Sequence, residues 1–209
     1  AYHEDRFRQT LTHVRGLTKL PGVEFVEPLV RSCAEAGVAV VFVPELPGTR
    51  TYGATRWLSP QNALIQLSLR RKTDDQLWFS FFHEAAHILL HPKKAVFIEA
   101  AHGTDELEDQ ADRFARDTLI PPGEYRAFVS KSDFGHASLA EFAHRIGVAP
   151  GIVVGRLQHE GLIPYSRLNR LKRHYTFATT AAAWAGAPDD GASRPDRPEA
   201  LELLLHPAG

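Results

Sequence analysis

The stretch His83-Glu84-Ala85-Ala86-His87 lies inside the apolar run LWFSFFHEAAHILL, residues 77–90, and everything else in the chain is read outward from it. On a helix, His83 and His87 stand one turn apart on the same face. Two imidazoles so placed can share one Zn²⁺, and Glu84 beside them can act as general base toward a water. The bland alternative is a pair of core or surface histidines. It is disfavoured because two imidazoles and a carboxylate are costly to bury among Phe, Trp and Leu without a partner.

A catalytic zinc takes three protein ligands and keeps one open position. The best candidate for the third is Glu108, in Glu108-Asp109-Gln110-Ala111-Asp112-Arg113-Phe114-Ala115. This stretch predicts a second helix, opening near Thr104 and Asp105 and closing before Pro121-Pro122. Glu108, Ala111, Asp112, Ala115 and Leu119 share one face, and the small alanines allow close packing on the first helix. Asp112 is one turn beyond Glu108 and is placed to accept the free ring N–H of a liganding histidine. Against Glu108 stands its reading as a solvated glutamate in the acidic run Asp105, Glu106, Glu108, Asp109. His91 is the rival ligand, but three ligands along one straight helix splay from a tetrahedral centre. It reads instead as a helix-end histidine favoured by the helix dipole before Pro92. His102 is a loop histidine with no stronger case.

H-E-x-x-H, then E-x-x-A-(D/N)-x-F-A, then a proline resembles the ImmA/IrrE family of zinc metallopeptidases. Residues 37–47 look like that family's first strand and 53–69 like its following hairpin, and the likeness spans roughly residues 20–175. It is closest to the subgroup fused behind Xre-type helix-turn-helix domains in HigA-like antitoxin regulators. The resemblance implies metal on His83, His87 and Glu108 and catalysis by Glu84. Asp112 stands where the family often has Asn, and either accepts a hydrogen bond.

Composition bounds the rest. The chain has 209 residues and a formal net charge of −1, so no global charge draws it to nucleic acid or membrane. A single cysteine, Cys33, leaves no internal disulfide framework and fits a reducing cytoplasm. No apolar run reaches membrane-spanning length and no signal peptide opens the sequence. There is no methionine; the expectation is a fragment or processed piece whose DNA-binding domain lies upstream.

Along the chain, residues 2–17 read as an amphipathic helix with Phe7, Leu11 and Val14 on one face, and residues 25–36 as a second helix capped by Gly37. Residues 38–43 are a buried strand; a loop, 44–51, follows. Residues 52–58 and 63–69 pair around the turn Ser59-Pro60-Gln61-Asn62. Asp74 or Asp75 caps the metal helix. The exposed edge 53–57 is a candidate for taking a peptide as an added strand. Residues 138–158 have helix-turn-helix spacing, but Gly151-Ile152-Val153-Val154-Gly155 is apolar where a DNA-reading helix is polar and basic, so a packing module is preferred. Arg167, Arg170, Lys172 and Arg173 read as a solvated helix face. Residues 178–209 read as a disordered tail, with the apolar 201–205 as a short docking helix.

The expectation is therefore an α+β, zincin-like metallopeptidase. Its small antiparallel sheet packs on the H-E-x-x-H helix, and a helix-turn-helix-like segment follows. The divisions are N-terminal helices, 1–36; catalytic core, 37–135; C-terminal helical segment, 136–177; and tail, 178–209. The function is a cytoplasmic zinc endopeptidase cutting a helix-turn-helix repressor or antitoxin in a stress, mobile-element or toxin response. Tyr52, Tyr125 and Tyr165 are candidate second donors to the oxyanion. The alternative is a zinc-binding sensor or interaction module of a transcriptional regulator or antitoxin with little proteolysis.

Overall fold

The computed structural model describes residues 1–44, 52–68, 73–93, 97–98, 105–179 and 201–206. Most of the predicted loop 44–51, His102, Thr104 and residues 180–200 and 207–209 of the predicted tail lie outside the described residues. The elements are α1 (Glu4–Leu17), α2 (Val26–Glu35), β1 (Val38–Val43), β2 (Gly53–Ser59), β3 (Asn62–Ser68), α3 (Asp74–Leu90), β4 (Phe97–Ile98), α4 (Asp105–Leu119), α5 (Pro122–Val129), α6 (His136–Ile146), α7 (Pro150–His159), β5 (His174–Thr179) and β6 (Leu201–His206). The architecture is mixed α+β. Among the described residues, no helix is long and apolar enough to cross a membrane.

α1 buries Phe7, Leu11, Val14 and Leu17, the stripe its 3.6-residue period dictates. α2 ends at Gly37, whose φ of +82° places it in the left-handed region. A Cβ there would lie 2.3 Å from the Tyr2 backbone nitrogen, so the chain start and the helix end close on each other only through glycine. Cys33 is wholly buried and its thiol is pushed up to about 12 by burial, which suits a packing residue rather than a reactive one.

The sheet corrects two expectations. Its order is β1-β3-β2-β4, and β1 runs parallel to β3 while β2 is antiparallel to both its neighbours. It is thus mixed, not purely antiparallel. The local hairpin 59–62 sets the β2–β3 pairing; whether β1 joins parallel or antiparallel depends on the path of the loop between, which carries no periodic signal. Nor is β2 an open edge, because Ala54 and Thr55 pair with Ile98 and Phe97 of β4.

α3 is central. From Leu77 to Ile88 its side chains are buried, with Phe79 the exception at partial burial. β2 and β3 cover one side of it; α4 and α7 pack on others. Its first residues are not the side-chain cap that was expected. Thr73 is the N-cap and makes no side-chain bond, while Asp74 and Asp75 occupy the first turn, where a helix N-terminus favours negative charge.

α6 and α7 do form two helices joined at Gly147, with φ +76°. The second faces inward. Ile152, Val153, Val154, Leu157 and Gln158 are buried. Gly151 and Gly155 form the seat for Asp74 and Asp75, since Cβ atoms would fall 2.3 and 2.4 Å from those carboxylates. The basic cluster is divided: Arg167 and Arg170 are exposed, as a solvated face requires, whereas Lys172 and Arg173 are half-buried and spent on packing. Arg173 donates to the carbonyls of Thr18, Lys19 and Leu20, Lys172 pairs with Asp75 at 2.7 Å, and Arg167 donates to Phe134 O.

Residues 201–206 are a strand, β6, antiparallel to β5, not a helix in a disordered tail. Leu201, Leu203 and Leu205 alternate with Glu202 and Leu204, a run too short for periodicity to separate strand from helix. Tyr175 of β5 packs on Phe25, which also packs on Trp78 of α3, with ring centroids 5.4 and 5.0 Å apart. One hydrophobic core thus runs from Phe7 to Tyr175.

Candidate metal centre

α3 and α4 build the site between them. One turn separates His83 from His87, so their rings project from the same side of α3, with centroids 4.8 Å apart. Ala111 and Ala115 of α4 are fully buried, and these short side chains let α4 come close enough for Glu108 to reach across. His83 Nε2 is 3.0 Å from His87 Nε2 and 3.1 Å from Glu108 Oε2, and His87 Nε2 is 3.7 Å from Glu108 Oε1. Ligand atoms of the three residues all lie within 4.8 Å of one another.

The far ring nitrogens are also engaged. His83 Nδ1 is 2.8 Å from Asp112 Oδ1, so it carries the proton and donates it to the carboxylate. His87 Nδ1 is 2.8 Å from His91 Nδ1. When His87, like His83, carries its proton on Nδ1, two Nε2 lone pairs face each other at 3.0 Å. That arrangement repels unless a cation lies between them. The spacing is also close to the ~3.3 Å expected for two nitrogens each about 2.0–2.1 Å from a tetrahedral ion. His87 is pushed down to about 3 by burial, then by His83 and His91, and therefore presents a neutral imidazole across the physiological range. The residues present fit a divalent metal.

Glu84 is wholly buried beneath β2. Thr55 Oγ1, 2 % exposed, donates to Glu84 Oε2 at 2.5 Å and lies 3.1 Å from the Glu84 carbonyl. Two residues earlier on the same strand face, a Cβ at Gly53 would sit 2.7 Å from Glu84 Oε1. Strand alternation places Gly53 and Thr55 on one face, so a missing side chain and a hydroxyl together seat the carboxylate. A family model described as the IrrE N-terminal-like domain, peptidase M78, matches residues 33–158.

The chain belongs to the IrrE N-terminal-like peptidase family. The match in this IrrE-like chain begins near the end of α2 and reaches α7, so it contains the sheet and every residue of the cluster. No curated protein matches the chain. A metallopeptidase-type domain with a His83–His87–Glu108 group able to bind a metal is what fold, geometry and family give together.

The structure also separates the three tyrosines. Tyr125 donates its hydroxyl to Glu160 Oε2 at 2.8 Å and lies under the Arg156 guanidinium, on the α5–α7 side. Tyr165 is 63 % exposed. Tyr52 immediately precedes Gly53 at the start of β2. Sequence reasoning missed Gly53, Thr55 and the contact of His91 with His87. A strand threonine or glycine carries no local mark of the helix that will lie beneath it. The spacing of His91 was visible, but its side-chain direction was not.

Proposed function

We propose that this chain is a zinc-dependent endopeptidase that cuts one specific cytoplasmic regulatory protein, a helix-turn-helix repressor or antitoxin, in a stress, mobile-element or toxin–antitoxin response. The observation that carries the peptidase reading is the convergence of His83, His87 and Glu108 donor atoms within 4.8 Å, next to a glutamate held in place. A structural zinc site is usually closed by four protein ligands and has no use for a general base, whereas three ligands leave a position open.

His83, His87 and Glu108 would hold the ion, which when bound supplies Lewis acidity toward a peptide carbonyl and a water of lowered pKa. Asp112 fixes the His83 ring through Nδ1. Glu84 accepts a proton from the attacking water on one carboxylate oxygen and returns it to the departing amine nitrogen. Thr55 keeps the other oxygen, Oε2, from rotating away. Tyr52, beside Gly53, is the tyrosine this reading retains as oxyanion donor. Sequence-specific DNA contact belongs to an upstream helix-turn-helix domain, since the apolar α7 is spent on packing against α3.

A second reading, a zinc-holding sensor or interaction module with little proteolysis, is favoured by one observation. Glu84 is 0 % exposed, and β4 already pairs along the outer edge of β2 at Ala54 and Thr55. The deciding experiment incubates the zinc-loaded chain with helix-turn-helix repressors and antitoxins encoded beside it. Discrete cleavage that Glu84→Gln abolishes supports the peptidase; intact substrates that nevertheless bind the chain support the sensor.

A further inference from the structure

We propose that His91 is a positioning residue: its imidazole accepts the Nδ1 proton of His87 and so aims His87 Nε2 at the metal. The inference rests on the metal-site reading above. Its origin is local. Pro92 disfavours helical backbone at the residue before it, and His91 is accordingly extended, with φ −114° and ψ 160°, as the C-cap of α3. Its N–H still bonds His87 O at 3.3 Å, while its side chain turns back beside the His87 ring. The two ring centroids are 4.8 Å apart with planes tilted by 59°, and His91 is only 6 % exposed.

The proton assignment follows from the two ends of His87. Its Nε2 lies in the donor cluster with His83 Nε2 and Glu108, so on the metal-site reading that nitrogen offers its lone pair to the ion. A neutral imidazole then carries its proton on Nδ1, and Nδ1 is 2.8 Å from His91 Nδ1. His91 must therefore accept there and hold its own proton on Nε2. Gln110 of α4 lies beside the His91 side chain. His91 thus stands between His87 and α4, the helix that also supplies Glu108 and Asp112. Each histidine of the pair has its own outer partner: a carboxylate for His83, an imidazole for His87. The same geometry excludes His91 as the third ligand, because it touches His87 on the nitrogen away from the donor cluster and is not among the converging ligand atoms.

The test is zinc affinity, measured by competition with a chromophoric chelator on purified wild type, His91→Ala and His91→Asn. It is joined by ¹⁵N imidazole NMR of the zinc-free proteins and their urea unfolding. The Asn amide oxygen reaches nearly the same point as His Nδ1 and can accept the same proton. His91→Ala should bind zinc about 10- to 100-fold more weakly, the usual cost of an outer partner, and His91→Asn should recover most of that. His87 should be Nδ1-protonated in wild type and His91→Asn, and should exchange between tautomers in His91→Ala. The inference is overturned if His91→Ala binds zinc as tightly as wild type, or if His91→Asn is as weak as His91→Ala. It is also overturned if His91→Ala loses zinc altogether while Glu108→Ala keeps it, which would make His91 a ligand. Wild-type protein that takes up no zinc overturns the metal site itself, and this inference with it.

Discussion

Replacing Asp74 by Asn removes a buried, costly ionisation at the start of α3 without changing side-chain shape. Asp74 is 0 % exposed at the first turn of α3. Oδ1 accepts from the Asp75 N–H at 3.0 Å, and among the described residues Oδ2 has no partner. Burial first, and the Asp75 charge second, raise its carboxyl from 3.8 to about 7. The folded protein therefore holds this proton more tightly than the unfolded chain does. The resulting stability is fully present below pH 3.8, declines as pH rises, and is gone above about 7. At 1.36 kcal/mol per pH unit, the ionised side chain costs the native state roughly 4 kcal/mol at pH 8, as an upper figure. Asn carries no charge at any pH. Urea unfolding at fixed zinc, followed by the fluorescence of the buried Trp78, should show Asp74→Asn more stable than wild type at pH 8 by up to about 4 kcal/mol. The gap should shrink to about 1 kcal/mol near pH 4.5. A variant no more stable than wild type at pH 8, or a gap constant across this range, would refute the assignment of a costly buried carboxylate.

Four further outcomes follow from the site. Elemental analysis should find one zinc per chain, reduced in each of His83→Ala, His87→Ala and Glu108→Ala; full zinc in Glu108→Ala would remove it from the ligand set. Glu84→Gln should keep its metal while cleavage of an identified substrate falls by orders of magnitude, and unchanged cleavage would end its role as base. Asp112→Ala should weaken zinc about 10- to 100-fold without abolishing it, by the same chelator competition. In gel shifts at physiological salt this chain should show at most weak, salt-sensitive and sequence-independent binding to DNA; tight binding to one operator would favour a regulator over a peptidase.

Much of the site was legible because helix geometry is a local property. A four-residue step puts His83 above His87, and the same step puts Asp112 above Glu108, whatever the rest of the chain does. The family match over residues 33–158 contains both steps. The amphipathic face of α1, the turn at 59–62 and Gly37 at the end of α2 were equally local. What periodicity could not reach was which face of a uniformly apolar or very short segment meets which neighbour. Residues 151–155 have no polar face to orient them, so only packing revealed that Gly151 and Gly155 receive Asp74 and Asp75.

The sequence by itself determined the chemistry on offer: two imidazoles, two carboxylates on a second helix, and a glutamate beside the first imidazole. Tertiary structure decided how those groups are used. The Thr55 hydroxyl meets Glu84 across 29 residues of chain, and the β1–β3 pairing is parallel although the neighbouring hairpin is not. The raised pKa of Asp74 exists only because α7 packs over the start of α3 and buries the carboxyl. Short-range order follows from bond geometry and repeats with a fixed period, whereas contacts between distant segments and the desolvation of a charge depend on how the whole chain closes around them.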